Sequence, residues 1–106
     1  MSVGRSGKIL KEKLIEQALV KAVKDKGGLC LKLVSPSLVG IPDRLVLLHD
    51  GCVGFVEVKT TGKKPRKVQE KRMEQLKHLG FKAFVIDNFD EIPTLMDVIG
   101  GGDDGI

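Results

Sequence analysis

The chain has 106 residues, 42% apolar and 30% charged, which suits one globular domain and excludes both a disordered tail and a two-domain enzyme. Its net charge of +4 is unevenly spread: residues 59–82 carry nine basic and two acidic side chains, and residues 83–106 none and six. A clustered basic segment is the electrostatic footprint of a phosphate-backbone binder, with a solvated helix face as its plain alternative.

In chain order, Leu10, Leu14, Ala18 and Ala22, with Ile15 and Leu19, recur at helical spacing and predict a helix from about Ser6 to Lys26. Gly27-Gly28 stops it. Leu29 to Val34 fits a short strand, and a loop marked by Pro36, Gly40 and Pro42 follows. Asp43 to Leu48 predicts a second strand, Asp50-Gly51 a tight hairpin turn, and Cys52 to Lys59 a third strand. Thr61 to Arg66 reads as a basic loop, Lys67 to Leu79 as a second helix ended by Gly80, and Phe81 to Ile86 as a fourth strand. A short last helix spans about Asp90 to Ile99, so that residues 1–99 form one domain and residues 100–106 a frayed Gly/Asp tail. The order αβββαβ(α) predicts an α/β fold, a mixed sheet flanked by helices.

Other classes fall away. No apolar run approaches the roughly 20 residues of a membrane span, and Met1 to Arg5 lacks the apolar block of a signal peptide. Cys30 and Cys52 show no metal-ligand spacing, so a reduced thiol pair in the cytoplasm is expected. Four Phe without Trp or Tyr make a poor stacking platform for single strands, which favours duplex backbone as the nucleic-acid ligand.

Four polar side chains fall where a core should be. Glu57 and Lys59 alternate onto the same strand face as Val53 and Phe55; an exposed ion pair would explain that spacing by itself. Counting back from the Asp50-Gly51 turn brings Asp43 near the Lys59 end of the third strand, so carboxylates from two strands converge. Close carboxylates repel, and they persist in a fold mainly where a cation sits between them. Hard oxygen donors without His or Cys suit Mg²⁺. Glu16 has apolar helical neighbours in Ile9, Val20 and Val23, which fits either a partnered polar residue or the edge of a wide apolar face. Gln69 shares the expected buried arc of Val68, Met73, Leu76 and Leu79; a satisfied core amide and a site residue both fit.

Gly40-Ile41-Pro42-Asp43-Arg44, then Phe55-Val56-Glu57-Val58-Lys59, then Gln69 early in a helix, resembles the VRR-NUC family of the PD-(D/E)xK nuclease superfamily. The match extends to Glu16, Gly27-Gly28 and Lys32, covering about residues 12–88. The resemblance implies a restriction-endonuclease-like core and metal-dependent cutting of phosphodiesters. Asp43, Glu57 and the backbone carbonyl of Val58 would hold Mg²⁺ or Mn²⁺. Lys59 would orient or deprotonate the attacking water, with Glu16 an additional acidic residue and Gln69 a supporting one. Small stand-alone members resemble phage and bacterial proteins, some acting on branched, Holliday-junction-like DNA as homodimers. Lys32, Arg44, Lys63, Lys64, Arg66 and Lys67 are candidate DNA contacts, for which a solubilising role fits as well. Leu33, Val34, Leu38 and Val39 are candidates for a dimer contact. A non-catalytic nucleic-acid-binding module with the same fold is the competing expectation.

Overall fold

The computed structural model of the chain describes residues 3–101, with side chains from Lys11 onward; the Ile9 and Leu10 side chains and residues 102–106, read above as stripe and tail, lie outside the described residues. The elements are α1 (Val3–Asp25), β1 (Leu29–Lys32), β2 (Arg44–Leu48), a 3-10 turn (His49–Gly51), β3 (Cys52–Val58), α2 (Lys67–His78), β4 (Lys82–Ile86) and α3 (Glu91–Ile99). The strands form one mixed sheet in the order β1-β2-β3-β4, antiparallel except for the parallel β3–β4 pair. This is the expected α/β arrangement.

The β2–β3 connection explains the register. Asp50 and Gly51 both have positive φ, 60° and 72°, the backbone twist that a tight hairpin requires and that Asp-Gly supplies at least steric cost. It pairs Leu48 with Cys52 and runs on to Arg44 against Val56. β1 ends two residues before its predicted limit, although the Leu33 N–H still donates to the Asp43 carbonyl at 2.8 Å.

Alternation along the strands sends side chains to two faces. On one, Ile15, Leu19 and Val23 of α1 and Leu95, Met96 and Ile99 of α3 pack on Val46, Val56 and Val58. The α3 helix lies so close to β3 that a Cβ at Gly54 would stand 2.5 Å from Ile99 Cδ1. On the other face, Met73 and Leu76 of α2 pack with Ala83, Val85 and Phe55. Two expectations are corrected. Leu14 is 49% exposed because the α1 stripe is centred on Ile15, Leu19 and Val23. Leu79 is 68% exposed because it caps α2 instead of continuing its buried arc.

The loop into β2 is pinned against the start of α2. Gly40 has φ 87°, and a Cβ there would meet the Val68 carbonyl oxygen at 2.7 Å. Arg72 Nε donates to the Val39 carbonyl at 3.0 Å, and Pro42 is fully buried. These contacts fix where Asp43 enters the sheet. Gly40→Ala should therefore lower the unfolding free energy by roughly 1–3 kcal/mol through forced repacking, read by urea denaturation. Gly62→Ala, also at positive φ (86°) but with open space around it, should cost only about 1 kcal/mol.

Candidate active site

One step beyond the Arg44–Val56 pair, the antiparallel register sets Asp43 opposite Glu57. The Asp43 backbone N–H donates to Glu57 Oε1 at 3.2 Å. The Val58 N–H bonds to the Asp43 carboxylate. A strand residue presents its N–H and C=O to the same neighbour, so the Val58 carbonyl faces the Asp43 side as well.

Glu57 is only 2% exposed, so its charge needs partners on both oxygens. Oε1 accepts from Asp43; Oε2 accepts from Gln69 Nε2 at 2.9 Å and lies 3.2 Å from Lys59 Nζ. Gln69 is buried, and its own Oε1 accepts from the Arg66 backbone N–H at 2.8 Å, one half of a capping box at the start of α2. The amide thus joins the helix start to the carboxylate, and both ends of it are used. Asp43, Glu57, Lys59 and Gln69 come together here.

Glu16 is engaged differently. Its Oε2 accepts from Arg44 Nε at 2.9 Å in a partly buried ion pair, and Arg44 Nη1 donates to the Cys30 carbonyl at 3.3 Å. Arg44, a candidate DNA contact, is therefore held by protein groups on two sides. Sequence reasoning missed Glu12, whose Oε1 accepts from Thr60 Oγ1 at 3.0 Å. The available signal was spacing: Glu12 lies one helical turn before Glu16, and Thr60 follows Lys59 directly.

Burial raises the Asp43 carboxyl above its usual range, and the negative charges of Glu16 and, more weakly, Glu12 add to it; the Val58 N–H and Lys59 oppose the shift. Burial likewise raises Glu57, reinforced by Asp43 and opposed by Lys59 and the Asp43 N–H. The pair holds negative charge at a cost that a cation between them would relieve. Among the described residues no group of three or more His, Cys, Asp or Glu is placed to hold a metal ion. Two carboxylates with a carbonyl suit a cation that keeps several of its own waters.

Lys63, Lys64, Arg66 and Lys67 are exposed around the loop between β3 and α2, and Lys32 at the end of β1. That loop is tied down by Asp87: the Gly62 N–H donates to Asp87 Oδ2 at 2.9 Å, and Thr61 Oγ1 to its carbonyl at 2.6 Å. Glu91 Oε1 in turn accepts from the Asp87 N–H at 2.8 Å. The acidic segment supplies two of these fastenings because its carboxylates sit beside backbone donors.

No family model matches the chain. It is 41% identical over 83 residues to "Putative nuclease p44" of Acyrthosiphon pisum secondary endosymbiont phage 1, spanning 78% of this chain and 89% of that protein. A solved structure described as a VRR_NUC domain superposes with a TM-score of 0.78 at 32% identity, over 82% of this chain and 95% of the other. Fold and relatives together define a nuclease. Within that class, the chain belongs to the VRR-NUC family. Among the described residues, no helix is long and apolar enough to cross a membrane.

Both raised carboxyls bind protons more tightly folded than unfolded. Their stabilising effect is intact below their ordinary values of 3.8 and 4.5 and is lost as pH rises through the higher folded values. In EDTA, Asp43→Asn should therefore melt a few degrees above the wild type at pH 7, and the difference should shrink to nothing near pH 3. Equal melting temperatures across that range would contradict the repulsion described.

Proposed function

We propose that this protein is a Mg²⁺- or Mn²⁺-dependent endonuclease that hydrolyses phosphodiester bonds in duplex or branched DNA, acting in the cytoplasm of a bacterial or phage-infected cell. The observation that carries the reading is the Asp43–Glu57 pair on adjacent strands with Lys59 Nζ 3.2 Å from Glu57. Asp43, Glu57 and the Val58 carbonyl would hold the cation. When bound, such an ion lowers the pKa of a coordinated water and neutralises charge on the phosphate.

The chain's own residues do the rest. Lys59 presents a fixed positive charge to the scissile phosphate and an amine that orients the attacking water, in a site where burial strengthens electrostatic contacts. Gln69 keeps the Glu57 carboxylate from rotating. Glu16 and Glu12 add negative potential at the α1 side of the pair, which favours a cation there. Lys63, Lys64, Arg66 and Lys67 lie on the chain leaving Lys59, so a phosphate backbone held by them reaches the carboxylates.

Purified protein incubated with duplex, single-strand, flap and four-way-junction DNA should cut in Mg²⁺ or Mn²⁺ and not in EDTA. Asp43→Asn or Glu57→Gln should reduce cutting at least about 10³-fold while DNA affinity changes little, and Lys59→Ala should reduce it about 10²–10³-fold. The rise in melting temperature that Mg²⁺ gives the wild type should vanish in Asp43→Asn. Full activity in either carboxylate variant would overturn the assignment, and metal-indifferent DNA binding without cutting would favour a binding module.

A homodimer is part of the same reading. Leu29 and Leu31 lie on the α2 face by register, Leu31 opposite Leu45 and Leu45 opposite Phe55, yet α2 packs over β4. Leu29 and Leu31 are left 59% and 41% exposed on an edge strand, with Val34, Leu38 and Val39 exposed beside them. Exposed apolar side chains on an unpaired sheet edge favour association with a second copy. Sedimentation should give twice the chain mass for the wild type and the monomer mass for Leu31→Glu/Val34→Glu.

A further inference from the structure

A cleft of about 580 Å³ lies between α1 and the β1–β2 edge, separate from the basic loop that follows β3. Its α1 wall consists of Lys13, Gln17, Val20, Lys21 and Lys24, one continuous flank of the helix at spacings of three and four. Lys32 and Arg44 form the opposite wall, and Glu16 is its one acidic residue. Lys21 is paired with Asp25 at 3.0 Å and Arg44 with Glu16 at 2.9 Å. Lys13, Lys24 and Lys32 have no carboxylate partner among the described residues. A solvated helix face would spread its lysines around the exposed arc; here they converge across a concavity with a lysine of the facing strand.

Neither Asp43 nor Glu57 lines the cleft, but two of its residues lead to the pair. Arg44 follows Asp43 in the chain, and the charge of Glu16 reaches Asp43. The basic loop approaches the same pair through the α2 start, by way of Arg66, Gln69 and Glu57. Asp43 and Glu57 are therefore linked to both cationic surfaces.

We infer that the α1–β1 cleft is a second phosphate-backbone site, binding the nucleic acid on the opposite side of the scissile bond from the Lys63–Lys67 loop. The inference rests on the nuclease reading and deepens it: a substrate gripped on both sides of the cut must continue past it in both directions, as internal cleavage requires. The recognising chemistry is the regular polyanion of the backbone, which lysines read as point charges without base information.

The test compares Lys13→Gln/Lys24→Gln with a charge-matched control, Lys26→Gln/Lys77→Gln. Neither control residue lines the cleft: Lys26 stands by Leu48 and His49, and Lys77 is in the last turn of α2. Duplex binding is measured in EDTA from about 50 to 200 mM salt. The slope of log affinity against log salt should become shallower by about 2 in the cleft variant, with affinity down roughly tenfold at 100 mM, and be unaltered in the control. In Mg²⁺ the cleft variant should show a raised KM for DNA. A cleft variant whose salt slope and KM match the control overturns the inference while leaving the nuclease intact. Wild-type protein that neither binds nor cuts DNA overturns the functional reading and the cleft with it.

Discussion

Both oxygens of a nearly dry carboxylate must be met by donors, and at Glu57 those donors come from three places: the backbone at Asp43 just before β2, the α2 amide of Gln69, and the ammonium of Lys59 just after β3. Losing any one leaves a charged group short of a partner in a medium that solvates it poorly. Much of the architecture serves this condition. The hairpin turn sets the register that brings the Asp43 N–H to Glu57. The close approach at Gly40 presses the incoming loop onto α2, whose Gln69 reaches the same carboxylate.

The strand and helix order was legible because each signal was local. Asp50-Gly51 specified the hairpin, and the spacing of Leu14, Ala18 and Ala22 with Ile15 and Leu19 specified a helix with an apolar face. The carboxylate pair was legible too, since the register can be counted from the turn. Glu12 was not: on α1 it looks like any surface glutamate, and only folding across 48 residues brings Thr60 to it. Arg44 was legible as a basic residue but not as the partner of Glu16, a contact 28 residues apart. The exposure of Leu14 and Leu79 depended on helix rotation and on where α2 ended, which an average helical pattern leaves open by one position.

Charge is arranged in the fold more simply than along the sequence. The acidic segment after β4 does not oppose the basic loop from a distance; Asp87 fastens the loop by its backbone, leaving the lysine side chains exposed. Asp87 and Glu91 are thereby used against N–H donors, where they are hydrogen-bonded, while Lys63, Lys64, Arg66 and Lys67 face solvent. A polyanion approaching from solution meets positive potential first and the negative pair last.

The Asp43–Glu57 contact closes only 14 residues of chain, whereas those of Arg44 with Glu16 and Thr60 with Glu12 close 28 and 48. Short loops lose less entropy on closing. The carboxylate pair is therefore carried by the most local piece of the molecule, a hairpin that can form early, and the α1 contacts around it depend on later, longer-range packing. Changes within the hairpin would act on the speed of folding as well as on the carboxylate pair. Changes at Glu12 or Glu16 would leave hairpin formation alone and show themselves in how fast the finished structure opens.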